Sequence, residues 1–486
     1  MKRYLKTVIM SILLCALALL PATYAAYADT SETGAIIKAD SIQELSNILG
    51  SAPGANGMVT VQLNPADTEY ELTRSLNIPD NVMLDLNGQT LKVTSSSDCA
   101  IALSGEGASV RNGTIINGGI RVYGDDSAGT ISKMNIQSAR SYGIRLQGAS
   151  IGDITDNTIT NSGSHGISLT SEAAAGDIRD NIVTGSADDG ISLYHSSHCG
   201  VISGNVLKDI GDAANAGTQG ASDYGIILNN GNSDGYCYAE EIIGNSIESA
   251  AFASIVLLNA YEKDLKDPEN ESRCFIKGDI AYNKISNNAS YKKIVKDWSN
   301  RKSSDPTCEG AIFINRGAEV IGDIHHNTIN TTYDDGIDVL CYATVRNIYS
   351  NIINTAGVAG IAVGDHSKVT GSIYNNKIKS SKNIGIFINT SSNVKKYIRN
   401  NKIVKPAGNG IFVTNGAKAN VIKNNTITKA GVYGVIAGNK GKISSLESNT
   451  ISVNNAKEGI VVLSNVKCCI SKIKGNKISG KYNAGI

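Results

Sequence analysis

Beyond its first twenty residues the chain has no apolar run long enough to cross a bilayer, which excludes a spanning helix in the remainder. Its nine cysteines form no Cys-x-x-Cys and stand beside no His-bearing ligand spacing, so a thiolate metal site has no ligand set to draw on. Tryptophan is almost absent, Trp298 being the single example. Net charge is also missing: 45 Lys and Arg stand against 44 Asp and Glu, for a formal +1. No leucine scaffold is present either, because the regularly spaced aliphatic positions are mostly Ile and Val, and this sets aside a leucine-rich repeat.

What is present is one phrase repeated. Asn-x-Ile followed by Gly-Ile-x-aliphatic occurs at Asn401 with Gly410 and at Asn425 with Gly434. It recurs as Asn181 with Gly190, Asn205 with Gly225, Asn327 with Gly336, Asn351 with Gly360, Asn376 with Gly385, Asn449 with Gly459 and Asn476 with Gly485. From Asn327 to Asn449 the step is 24 or 25 residues, a period that denotes a solenoid. Aliphatic β-branched residues alternating with small or polar ones, as in Gly166 to Leu169 and Gly190 to Leu193, argue strand rather than helix. A third short strand lies between the anchor phrases, for example Ile151 to Ile154 or Val421 to Ile422. The expected fold is all-β: a right-handed single-stranded parallel β-helix with three strands per coil and coils of about 24 residues. Ile159, Ile167, Leu169, Ile191, Leu193, Ile337, Ile361, Ile386 and Ile411 should point inward. The recurring Asn should stack as a hydrogen-bonded ladder, its tolerance of the left-handed conformation placing it at a bend, while the Gly opposite permits a turn too tight for a Cβ.

At the beginning, Lys2, Arg3 and Lys6 precede the apolar run Val8 to Leu20, and Ala26-Tyr27-Ala28 supplies small residues for cleavage, the pattern of a secretory signal peptide over residues 1–28. Cys15 follows Leu14 rather than a small residue, which argues against a lipoprotein anchor. The expected localisation is secreted, extracellular or at the cell surface. Residues 29–93 differ from the repeats: Ser41 caps a helical spacing of Ile42, Leu45, Ile48 and Leu49, with Glu44 three residues on. Strand-like segments Val59 to Leu63, Tyr70 to Leu72 and Leu76 to Gly88 follow. This opening, with the PbH1-type repeats over 94–486, resembles the secreted pectate-lyase-like β-helices. The resemblance implies that the helix caps the open end of the stack, and it names no activity. The chain stops in mid-phrase at Gly485-Ile486, which fits either an uncapped last coil or a continuation.

The coils are interrupted once, where Asn205, Asn245, Asn283 and Asn327 lie 40, 38 and 44 residues apart. Insertions are expected between about 208 and 309, as the stretches 208–223, 229–237, 259–274 and 287–309; long loops on a solenoid form a wall or lid. Trp298 falls in the last, as packing or as a substrate platform. Cys199, Cys237 and Cys274 precede the second strand of successive coils, and export would allow Cys237 to bridge to either neighbour. Cys as buried apolar filler is the alternative.

Charge is balanced only in sum. From residue 343 onward 21 cations face three acids, an excess of +18; with +3 in the leader, residues 29–342 carry −20. The basic half should attract an anionic polymer, or else serve solubility.

Outward positions that stack from coil to coil carry the candidate chemistry. Before the strand Gly stand Tyr142, His165, Asp189, Tyr224 and, farther on, Asp335; two residues after it stand Arg145, Ser168, Ser192 and Asp338. Arg145 could neutralise a uronate carboxylate while His165, Tyr142 or Tyr224 moves protons, as β-elimination or epimerisation requires. Asp188 and Asp189 could instead serve as acid and base in hydrolysis; His195 and His198 stand nearby. Asp335 and Asp338 lie four coils beyond Asp189, about 19 Å at the strand spacing, and would hold a distant sugar or a cation such as Ca2+. No other cofactor is implied.

Ser164-His165-Gly166 and Asp188-Asp189-Gly190 resemble the His-Gly and Asp-Asp motifs of polygalacturonases, in reversed order and without that family's Asn-Thr-Asp and Arg-Ile-Lys segments. Tyr142-Gly143-Ile144 and Tyr224-Gly225-Ile226 resemble alginate epimerases without the following Asp-Pro-His. These matches are assigned to the repeat itself. Two readings follow: a secreted enzyme that cleaves or epimerises an acidic polysaccharide (lyase or glycoside hydrolase), or a noncatalytic surface rod that binds glycans or anionic cell-wall polymers. The titratable strip favours the first, and the basic half with outward Phe387 and Phe412 favours the second. Nucleic acid is not an expected partner.

Overall fold

The computed structural model describes residues 35–65, 69–124, 127–211, 223–231, 234–259, 273–288, 310–453, 458–462 and 469–480. The leader, Trp298 and most of the four insertions lie outside them. Every strand pairing among the described residues is parallel, and the strands form two sheets, one of 15 strands and one of 37 that carries the other two faces of each coil. A representative coil runs Ile167–Thr170, then Ala174–Ala175 with Ile178–Arg179, then Ile182–Thr184, and re-enters the first sheet at Ile191–Tyr194. No helix among the described residues is long and apolar enough to cross a membrane.

The alternation of the sequence becomes columns. In the 15-stranded sheet Ile144, Ile167, Ile191, Ile226 and Ile255 stand in register on the inward side. Farther along, Ile337, Ile361, Ile386 and Ile411 continue the column. All of these, with Ile159, Leu169 and Leu193, are fully buried in one continuous core. At the N-terminal end the expected helix is Ile42–Gly50, with Ser41 Oγ accepting from the Glu44 amide at 3.1 Å and Glu44 Oε2 accepting from the Asp40 amide at 2.8 Å. Its Leu45 and Leu49 are buried in the core, covering apolar surface that an open stack would expose.

The Asn ladder runs unbroken from Asn157 to Asn476. After the first rung, where Asn157 Oδ1 accepts from the Met134 amide, each Oδ1 accepts from the backbone amide and the side-chain amide of the preceding coil's Asn, as Asn205 does from Asn181 at 3.0 Å in both cases. Each Nδ2 also donates to a carbonyl of the preceding coil, as Asn181 does to Ile154 at 2.9 Å. The ladder crosses the three long coils without a gap, through Asn205, Asn245, Asn283 and Asn327, so this corner is the same in the long coils as in the short ones.

Two details depart from expectation. The left-handed residue at this corner is the one before the Asn, as at Asp156, Asp180, Tyr282, His326 and Asn400, which frees the Asn backbone to join the ladder. The strand Gly is required by space: a Cβ on Gly166 would meet Val183 and, at 2.7 Å, the carbonyl oxygen of Gly190.

Of the two readings of the cysteines, bridge or buried filler, the structure has the second. Cys199, Cys237 and Cys274 are free, buried thiols. Cys237 stands opposite Cys274, but Cys199 stands opposite Ala239, two residues out of step. Burial pushes the Cys199 thiol far up, and burial with the neighbouring Cys274 does the same for Cys237, so both behave as apolar filler.

Candidate functional site

On the outward side of the 15-stranded sheet the register sets Arg121 beside Arg145, Arg145 beside Ser168, and Ser168 beside Ser192. Strand alternation puts all four on one face, and the residue three before each of the last three strand positions brings in Tyr142, His165 and Asp189 at the strand entry. His165 and Asp189 meet: Nδ1 lies 3.1 Å from Asp189 Oδ2 and 3.2 Å from the Asp189 amide nitrogen. One Nδ1 cannot donate to the carboxylate and accept from the amide at once; the charged partner makes the stronger bond, so Nδ1–H···Oδ2 is the assignment. Nε2 is then the nitrogen left to exchange a proton with a ligand.

Asp189 is fully buried and held from three directions. Besides His165, Tyr194 donates its hydroxyl to Oδ2 at 2.7 Å, and the Tyr224 amide donates to Oδ1 at 3.1 Å. A carboxylate so enclosed cannot reach a glycosidic oxygen or a water, and its place is that of a group orienting His165. Burial pulls the His165 imidazole down, but the hydrogen bond and charge of Asp189, helped by Asp188, outweigh it, and the net shift is upward.

Around this pair, Tyr142 packs 5.2 Å from His165 between ring centroids. The guanidiniums of Arg145 and Arg121 lie over the Tyr142 ring at 4.6 and 4.9 Å. Arg121 is buried and bonds Asp98. Asp188 is half-buried and accepts from Ser164 Oγ at 2.7 Å. Ser192 donates to Ser168 at 3.1 Å, tying two coils together beneath the site.

The structure thus brings together Tyr142, Arg145, His165, Asp188 and Asp189. Tyr224 joins through its backbone amide, while its ring turns to Phe252 at 6.2 Å and an apolar cluster of Ile227, Val256 and Phe313. His195 sits at the margin, 3.3 Å from Thr170 Oγ1, and His198 belongs to the other sheet, stacked on Tyr238 at 4.8 Å. Asp335 and Asp338 are four strands farther along the sheet; Asp335 accepts from the Ala359 amide at 2.5 Å and Asp338 is buried. No cluster of three or more His, Cys, Asp or Glu suited to a metal ion occurs among the described residues. Trp298 lies outside them.

Two members escaped the sequence reading. Tyr194 was detectable, since it lies two residues after Ser192 and so on the same strand face. Arg121 stands 24 residues before Arg145, but in a coil whose Asn-Gly phrase is degraded.

A family model described as right handed beta helix region matches residues 84–264 and 370–486. No curated protein matches the sequence. Among solved structures, a mutant tailspike protein of E. coli bacteriophage HK620 is 10% identical, with a TM-score of 0.43, over 91% of this chain and 77% of its own. The Azotobacter vinelandii mannuronan C-5 epimerase AlgE4 A-module is 12% identical, with a TM-score of 0.31, over 92% and 93%. The catalytic unit of a GH87 alpha-1,3-glucanase from Streptomyces thermodiastaticus is 12% identical, with a TM-score of 0.33, over 92% and 69%. Since the family model matches more than half of its length, and the rod it implies is the one described above, the chain belongs to the right handed beta helix family.

Proposed function

We propose that this is an exported carbohydrate-active protein that cleaves or epimerises an acidic polysaccharide by proton transfer at His165. The observation that carries the reading is the His165–Asp189 pair at 3.1 Å, set on the outward face of a rod beside Tyr142 and Arg145. In this reading His165 takes the proton from the carbon next to a uronate carboxylate. Arg145 binds that carboxylate and stabilises the charge that develops on it. Tyr142 is placed to return a proton: to the opposite face of the same carbon in epimerisation, or to the departing glycosidic oxygen as its bond to the neighbouring carbon breaks and the double bond forms in elimination. Asp189 keeps the imidazole oriented. Elimination or epimerisation is preferred over hydrolysis because two-carboxylate hydrolysis needs both acids open to the bond, and Asp189 is enclosed. Export is part of the proposal and rests on the leader-like residues 1–28.

The test is to incubate the purified protein with polygalacturonate, alginate and other uronate polymers, following unsaturated products and uronate configuration. Products formed by the wild-type protein and lost in His165→Ala support the reading. Reducing ends appearing without unsaturation would move it to hydrolysis, and activity unaffected by His165→Ala would remove it.

A further inference from the structure

The second charged feature lies on the opposite half of the rod, seven ladder steps from Asn181 to Asn401, about 34 Å away at the strand spacing. No Asp or Glu occurs between Asp365 and Glu447. Within that interval the register sets like charges directly opposite one another: Lys377 against Lys402, and Arg399 against Lys423. The first pair follows the ladder Asn and the second precedes it by two residues, so the four cations line both sides of one corner. Like charges opposed across neighbouring strands repel, and among the described residues none of these four forms an ion pair; Glu447, opposite Lys423 in the next coil, pairs with Lys472 at 2.9 Å. Two tyrosines hold the cations in place. The Arg399 guanidinium lies 4.8 Å from the centre of the Tyr374 ring, and Lys423 Nζ lies 4.4 Å from that of Tyr397.

We infer that this corner, formed by Lys377, Arg399, Lys402 and Lys423, is a noncatalytic binding track for a linear anionic polysaccharide lying along the rod. The inference rests on the reading that the protein handles such a polymer. Each side of the corner carries two cations in neighbouring coils, about 4.8 Å apart, close to the length of one pyranose unit in an extended chain, so adjacent carboxylates or sulfates can meet adjacent cations across the three coils. A membrane fits poorly, since the cations follow a convex edge. Single-stranded nucleic acid fits poorly because the ring faces its bases would stack on are occupied by Arg399 and Lys423.

The experiment measures binding of polygalacturonate and heparin to the full chain and to a variant carrying Lys377→Gln, Arg399→Gln, Lys402→Gln and Lys423→Gln, with an unchanged melting curve as the folding control. Neutral dextran, oligothymidylate and phosphatidylserine vesicles are run alongside. The expected result is at least about a tenfold weaker affinity in the variant, with wild-type binding that falls as salt rises, and His165→Ala binding as tightly as wild type. The two anionic glycans separate carboxylate from sulfate recognition. Equal binding by the variant, no binding by the wild type, or a preference for oligothymidylate or vesicles overturns the track. Product formation by the wild-type protein is scored separately, so binding without turnover would count against the catalytic centre alone, and turnover without binding that depends on the four cations would count against the track alone.

Discussion

Between Asp98 and Tyr224 the outward face of the rod carries Arg121, His165 and Asp189, buried and bonded to partners of opposite charge; between Lys368 and Lys442 the same repeat carries cations that are exposed or half-buried and stacked against each other. The scaffold beneath is identical in kind, with Ile columns facing inward and an Asn ladder at one corner. The difference lies in which outward positions are occupied and how deeply. In the first region Arg121 meets Asp98 and His165 meets Asp189, and the result is a shifted histidine and a fixed geometry. In the second, the absence of acids between Asp365 and Glu447 leaves charge free to act at the surface over a Debye length of about 8 Å at physiological ionic strength. A solenoid can therefore separate chemistry from attachment simply by changing side chains along its length.

If the scaffold really is equivalent in both regions, the largest effects should be the same in each. Ile167→Ala and Ile386→Ala should each lower stability by about 2–5 kcal/mol in denaturant unfolding; a large cost in one region and none in the other would show that the two cores differ. His165→Ala should lower the rate on a uronate polymer at least about a hundredfold, whereas Lys402→Gln should leave the turnover of a short oligomer unchanged. Loss of turnover with Lys402→Gln would merge the two regions into one site. Asn401→Ala removes one rung, leaving the Asn376 amide groups and the Ile373 carbonyl without their partner, and should cost about 1–3 kcal/mol. No change in melting would mean that the ladder is a consequence of stacking rather than a support for it.

The smallest effect is electrostatic. A histidine whose folded pKa is raised adds stability below its unfolded value, about 6.5, and loses it as pH rises through the folded value. His165 is such a group, so the penalty of Asp189→Asn should be greater at pH 5.5 than at pH 8.5. Imidazole titration by NMR should place His165 above His198 and His326, both of which burial pulls down, with Lys277 and His325 respectively adding to the effect. A His165 that titrates with or below them would leave the Asp189 contact without energetic weight.

Much of the rod was legible in advance because its rules are one-dimensional. The period assigns a coil, alternation assigns a face, and a polar residue with a fixed place in the repeat assigns the ladder; Asn157 through Asn476 and the inward Ile residues followed directly. The centre was legible only as a neighbourhood. Periodicity puts Tyr142, His165 and Asp189 in successive coils, but it does not reveal that Asp189 is enclosed, because the enclosing groups include the Tyr194 hydroxyl and a backbone amide, and an amide has no signature in the residue type of Tyr224. Arg121 was hidden by the weak phrase of the early coils. The cysteines were legible only as two alternatives: Cys199 lies six residues before its ladder Asn and Cys237 eight, so similar placement near a strand did not mean equal register, and Cys199 met Ala239.

The most direct test of the catalytic reading is product analysis on defined uronate oligomers with the wild-type protein, His165→Ala and Asp189→Asn, each shown to be folded. The account predicts unsaturated or epimerised products from the wild type, at least about a hundredfold less from His165→Ala, and from Asp189→Asn a reduced rate whose pH midpoint moves down as the imidazole loses its carboxylate. Products made equally by all three proteins, or by none while the basic corner still binds the polymer, would contradict it.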